Sequence, residues 1–262
     1  MKTGRPVILI SLSLAVILGS CVSHKQLTYL RYSAKSPGYD VSGSDIRSYV
    51  TPPDYKIMPF DNLYIRVITP DPQWSELFNV TTGMGGLTQE SAALSGYSVD
   101  LEGNIEIPFV GKISVAGKEI SEIKVELDSV FKYYVTDAEI SIRLVNNYLT
   151  VLGEVASPGR YPLTKDRVNI FEAVAMAGDL SYFSNRQKVQ LIRPSPYGPV
   201  VKEFTLLDRS ILTSELYYIM PNDIIYVMPG RGRTFQINSS FWTLFLTTVT
   251  ASLGIIGFFR TL

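Results

Sequence analysis

Histidine, cysteine and tryptophan are scarce, with 1 His, 1 Cys and 2 Trp in 262 residues. A single histidine excludes a histidine-rich metal centre. A single cysteine excludes an internal disulfide, so packing alone must hold any folded body together. Net charge is missing too, since 24 basic residues face 24 acidic ones. That balance excludes the strongly basic face that nucleic acid demands. No phosphate-binding frame is present either. The glycines of "GMGGLTQESAALSG" (83–96) lack the G-x-x-x-x-G-K-[ST] order, and residues 70–96 read as a loop. Tyrosine is abundant, at 16 against 12 Phe, and suits strands and wet, partly buried surfaces.

The solitary cysteine has a telling position. Lys2 and Arg5 form a short basic region ahead of "VILISLSLAVIL", an apolar run of signal-peptide length from Val7 to Leu18. "LGSC" (18–21) then resembles a bacterial lipobox: an aliphatic residue, two small residues and a cysteine. This reading makes 1–20 a cleaved lipoprotein signal peptide and Cys21 the lipidated first residue of the mature chain. No Asp follows Cys21. The residues that remain after cleavage carry 22 basic against 24 acidic groups. Residues 21–53 are polar, end in "TPPD" and read as a lipidated tether or extended arm.

From Tyr55 the pattern becomes that of a folded α+β body. "YKIMPFDNLYIRV" (55–67) ends in an alternating strand, and "YYIMPNDIIYVMP" (217–229) repeats its Tyr, Ile-Met-Pro, Asp and Tyr. Asp61 and Asp223 could be paired as acid and base, but two turn-forming aspartates that launch strands explain them more simply. Asp100, Glu102 and Glu106 could serve glycoside chemistry. In alternating strands they point away from Val99, Leu101, Ile105 and Ile107, which makes them a solvated face. Residues 120–135 form an amphipathic helix with Ile123, Leu127 and Phe131 on one side and Ser121 as the cap. Residues 169–178 form a second helix. Asn169 caps it, Glu172 completes the capping box and Gly178 ends it. Strands at 148–155, 188–194, 200–206 and 223–229 suggest a grasp around Ile170, Phe171, Val174 and Ala177.

Near the end, "FWTLFLTTVTASLGIIGFF" (241–259) carries no charge and would make a helix of about 28 Å, the thickness of a bilayer core. It reads as a C-terminal transmembrane helix. Thr243, Thr247, Thr250, Gly254 and Gly257 recur at intervals of 4, 3, 4 and 3, a stripe of small or hydroxyl-bearing residues. The stripe either lets neighbouring helices approach or faces a wet lumen. A lipidated chain needs no second anchor merely to stay on a membrane, which favours a spanning role.

Several stretches together resemble the outer-membrane polysaccharide export lipoproteins. They are "YSVDLEGNIEIPFVGKISVAGKEISEIKVEL", "VLGEVASPGRYPLTKDRVNIFEAVAMAGDL", "RQKVQLIRP" and "MPNDIIYVMPG". The resemblance runs from about residue 54 to 229. It implies a polysaccharide export domain over 54–146 and a soluble ligand-binding β-grasp (SLBB) domain over 147–230. It also implies a homo-oligomeric ring, commonly an octamer, at the outer membrane of a Gram-negative bacterium. In that family C-terminal helices line a pore through which capsular or extracellular polysaccharide passes. The implied partners are an inner-membrane polysaccharide co-polymerase with a tyrosine kinase, the polysaccharide itself and membrane lipid. No cofactor, metal or catalytic residue is implied, and the chain is expected to be no enzyme. The alternative is a membrane-anchored periplasmic lipoprotein that binds glycan or a partner and forms no pore. A carbohydrate-active enzyme built on Asp100, Glu102 or Asp223 is a third reading, without a visible nucleophile and base.

Overall fold

A computed structural model describes residues 27–31, 54–79, 95–135, 137–145, 147–165 and 167–261. The signal segment, Cys21 and the glycine-rich stretch 83–94 lie outside the described residues. Within them the chain is a mixed α/β structure with two separate hydrophobic cores.

The first core forms around a three-stranded sheet of order β2-β1-β5, made from β1 (Asn62–Ile68), β2 (Tyr97–Ser98) and β5 (Glu139–Leu144). β1 pairs antiparallel with β5 from Leu63↔Leu144 to Ile68↔Glu139. Alternation buries Leu63, Ile65 and Val67 on one face. The hairpin β3 (Asn104–Ile107) and β4 (Gly111–Ser114) adds Ile105, Ile107 and Ile113. Two helices close this body. α1 (Pro72–Phe78) was not expected, because its seven residues lie in a stretch that reads as loop. Asp71 caps it by accepting the Gln73 N–H at 2.9 Å, and Phe78 enters the core. α2 (Ile120–Phe131) buries Ile123, Leu127 and Phe131, the face that the sequence marks. Its cap is Glu119 rather than Ser121, and the Glu122 carboxylate accepts the Glu119 N–H at 2.8 Å.

The second core lies under a five-stranded sheet of order β10-β9-β12-β6-β7. β6 (Tyr148–Gly153) and β7 (Gly159–Pro162) make one hairpin; β9 (Ser184–Arg193) and β10 (Val200–Phe204) make another. β12 (Ile224–Pro229) joins them, parallel to β6 and antiparallel to β9. Gly153 sits at φ +91°, and a Cβ there would meet the Val227 carbonyl oxygen at 2.0 Å, so only glycine permits this closeness of β6 and β12. α3 (Ile170–Met176) packs on the sheet with Ile170, Ala173 and Val174 buried. A short pair, β8 (Val168–Asn169) with β11 (Tyr218–Ile219), leads into it. The Asn169 side chain accepts from Phe171 N–H at 3.0 Å and Glu172 N–H at 2.9 Å, while Glu172 accepts from Asn169 N–H at 3.0 Å. The capping box that the sequence announces is present.

The last element, α4 (Arg231–Thr261), is one continuous helix of 31 residues. Yet no helix among the described residues is long and apolar enough to cross a membrane. The transmembrane assignment of 241–259 therefore finds no support in the structure.

Candidate functional site

α4 leaves the second core directly after β12. Gly230 is the pivot: its N–H donates to the Phe183 carbonyl at 2.6 Å, and a Cβ at 230 would stand 2.8 Å from that oxygen. Phe241, Trp242, Leu244, Phe245, Leu246, Val249, Ile255 and Phe258 are all exposed. Thr243, Thr247, Thr250, Gly254 and Gly257 are exposed as well, and no side chain stands within 4 Å of a Cβ placed at either glycine. So many exposed apolar side chains on one helix call for lipid or other chains to cover them.

The hydroxyls of α4 are satisfied within the helix. Thr243 donates to Ser239 O at 2.8 Å, Thr247 to Thr243 O at 2.9 Å, Thr250 to Leu246 O at 2.9 Å and Ser252 to Thr248 O at 2.7 Å. A hydroxyl that returns its proton to the preceding turn needs no water for it, which lowers the cost of an apolar setting. The structure brings the stripe residues to one helix and does not show what they face.

The aspartates of the repeated segment hold turns. Met58-Pro59-Phe60-Asp61 and Met220-Pro221-Asn222-Asp223 share one construction. Asp61 N–H donates to Met58 O at 3.1 Å and Asp223 N–H to Met220 O at 3.2 Å, with Phe60 at φ +71° and Asn222 at φ +63°. Proline second and a left-handed residue third define a type II turn. Each aspartate also accepts its methionine's N–H, at 2.9 Å for Asp61 and 2.8 Å for Asp223. Both are buried. Asp61 takes the Tyr55 hydroxyl at 2.8 Å, and Asp223 takes Arg193 with Nη2 at 2.7 Å. Burial raises the Asp223 carboxyl above its usual range, while Arg193 and the Met220 N–H pull it back. The Tyr55 hydroxyl is raised by burial first and by Asp61 next, while the Asn222 side chain beside it acts in the opposite direction. Tyr55 thus ties the first core to the second.

The other acidic candidates lie apart. Asp100 accepts the Asn104 N–H at 2.7 Å inside a turn, and Glu102 and Glu106 are exposed. No group of three or more His, Cys, Asp or Glu among the described residues is placed to hold a metal ion.

One contact has no signal in the sequence. Residues 27–31, from the stretch that reads as a tether, dock on the second core. Leu30 N–H donates to Leu206 O at 3.2 Å, and Arg209 Nε to Leu30 O at 2.9 Å. Tyr29 meets Phe171 edge-on with ring centres 6.2 Å apart, and its hydroxyl donates to Asp179 at 2.6 Å. Burial first and Asp179 second push this phenol up to about 12.

Residues 50–145, which hold the first core, match the family model described as polysaccharide biosynthesis/export protein. The chain is 25% identical over 184 residues to the capsule polysaccharide export outer membrane protein CtrA of Neisseria meningitidis, covering 66% of this chain and 46% of that one. It is 30% identical over 92 residues to the EPS I polysaccharide export outer membrane protein EpsA of Ralstonia nicotianae, covering 34% and 24%. It is 27% identical over 139 residues to the exopolysaccharide production protein ExoF of Rhizobium meliloti, covering 52% and 30%. The chain spans less than half the length of these relatives. The chain is thus similar over 50–145 to the polysaccharide biosynthesis/export family, and more widely to capsule and exopolysaccharide export outer-membrane proteins.

Proposed function

We propose that this chain is an outer-membrane subunit of an oligomeric translocon for capsular or extracellular polysaccharide. The observation that carries the reading is α4, a helix of 31 residues that exposes Phe241, Leu244, Phe245, Leu246 and Ile255. The names of the relatives supply the substrate class and the membrane. Residues 1–20 act as a signal peptide, Cys21 is lipidated, 54–146 is the polysaccharide export domain and 147–230 the SLBB β-grasp domain. A single α4 is too interrupted by hydroxyls to suit lipid on every side, but a ring of copies removes that demand. Bulky side chains such as Phe245 and Leu246 meet lipid, and the Thr243, Thr247, Thr250, Gly254 and Gly257 stripe meets neighbouring helices or the lumen. The role is transport rather than catalysis. The work of export comes from the inner-membrane co-polymerase and kinase, and an octamer is the ring expected.

Blue-native electrophoresis of the lipidated protein, extracted in mild detergent, should show a large assembly. A strict monomer would overturn the reading. Deleting residues 241–262 should abolish export while the remaining body melts as before, because neither core draws on α4. The second reading is a lipid-anchored glycan- or partner-binding protein without a pore. Export that survives the truncation would establish it.

A further inference from the structure

A cavity of about 710 Å³ opens at the root of α4. Leu27 of the docked segment, residues 182–188 and Gly230 and Gly232 wall it. Its size lies in the range of ligand sites. Arg186 lines it and is only 7% exposed. The guanidinium has only neutral partners: Ser184 Oγ at 2.9 Å, the Ser181 and Leu180 carbonyls, both at 3.4 Å, and the face of the Tyr29 ring, whose centre lies 5.5 Å from Cζ. Its Nε has no partner, and no carboxylate among the described residues lies within ion-pair distance. The nearby acids are engaged elsewhere. Asp179 accepts from Tyr29 at 2.6 Å and from Leu180 N–H at 2.7 Å; Glu154 pairs with Arg233 at 3.2 Å and accepts from Ser181 at 2.8 Å. A buried cation without a counter-anion is costly, and an incoming anion would offset that cost.

The rest of the wall suits a sugar. Tyr182 is 88% exposed and offers a ring for the C–H face of a pyranose. Asn185 and Gln187 supply amide donors and acceptors for hydroxyl groups. Lys188 is bound only loosely to Glu203, at 3.7 Å with both side chains exposed, and adds positive charge. We propose that the cavity binds an anionic sugar unit of the exported polymer, with its carboxylate or phosphate on Arg186 and its ring on Tyr182. The proposal rests on the export reading. It places a charge-selective contact where the folded body hands over to the helices.

Calorimetry on the full chain in detergent tests it with four probes: a glucuronate-containing hyaluronan hexasaccharide, a phosphorylated mannose oligosaccharide, neutral maltohexaose and inorganic phosphate. One of the two acidic sugars should bind at least about tenfold more tightly than maltohexaose, and which one does identifies the anion. Tyr182→Ala should weaken that binding about fivefold or more without moving the melting temperature, and Arg186→Gln should erase the preference for charge. Tyr182 is a surface residue, so its variant keeps the test valid even where Arg186→Gln does not fold. Equal binding of neutral and acidic sugars, no binding of either, or wild-type binding by Tyr182→Ala would overturn the proposal. So would inorganic phosphate that competes as well as the better sugar. Binding is read on purified protein and export in cells, so either idea can fail while the other stands.

Discussion

Phe60 and Asn222 occupy the same place in two copies of one turn, and only one of them suits it. Both have positive φ, which asparagine tolerates and phenylalanine does not. Phe60 is 69% exposed and so loses little packing when replaced. Phe60→Asn should therefore stabilise the protein by about 1 kcal/mol in urea denaturation. A destabilised variant would show that the ring contributes more than the strain costs. The aspartate that closes the turn behaves differently. Asp223→Ala removes the partner of Arg193 and the acceptor of the Met220 N–H, both in a buried setting. The expected loss is about 3 kcal/mol, in line with breaking buried pairs. The turn role of both aspartates was legible because Met-Pro-x-Asp prescribes it. Arg193 and Tyr55, the side chains that complete the two sites, were not. They come from positions 30 and 6 residues away, and no local pattern announces such partners.

Elements were legible in proportion to their periodicity. α3 and its capping box, the buried face of α2 and the strands of both sheets follow from spacing alone. α1 was missed because seven residues give too little period to detect, and it is held by tertiary contacts instead. Phe78 stacks with Trp74 at 5.8 Å and meets Phe131 edge-on at 5.1 Å. The docking of residues 27–31 was equally invisible, since it depends on the surface that receives them. That contact titrates. The Tyr29 phenol is raised to about 12, so docking is fully favoured below the ordinary value of 10 and is lost as pH climbs from there towards 12. Tyr29→Phe should abolish this alkaline step, read as proteolytic release of the N-terminal segment against pH. For α4, the unhindered Gly254 and Gly257 make a sharp test of side-by-side packing. Replacing both with Leu should break the assembly on native gels while leaving the helix content unchanged, because leucine is a better helix former than glycine. An intact ring would move the contact to another face.

At the scale of the molecule, two cores are joined by a short connection and by the Tyr55 hydroxyl, which donates to Asp61 of the first and is influenced by Asn222 and Asp223 of the second. If this hydroxyl couples the bodies, its loss should let them unfold apart. Trp74 reports on the first core, and Trp242 on α4 is the only other indole, so a Trp242→Phe background makes fluorescence specific to the first body. The second body supplies the five-stranded sheet, whose backbone amides report on it by pulsed hydrogen exchange. In this background the two signals should fall together along one urea transition. Tyr55→Phe leaves a buried carboxylate short of one donor, at a cost of about 1–3 kcal/mol borne by the first core. Its fluorescence transition should therefore move to lower urea while the midpoint at which the five-stranded sheet loses exchange protection stays nearly fixed. Coincident transitions in the variant would mean that the bodies are coupled by other contacts, and that Tyr55 merely belongs to the first.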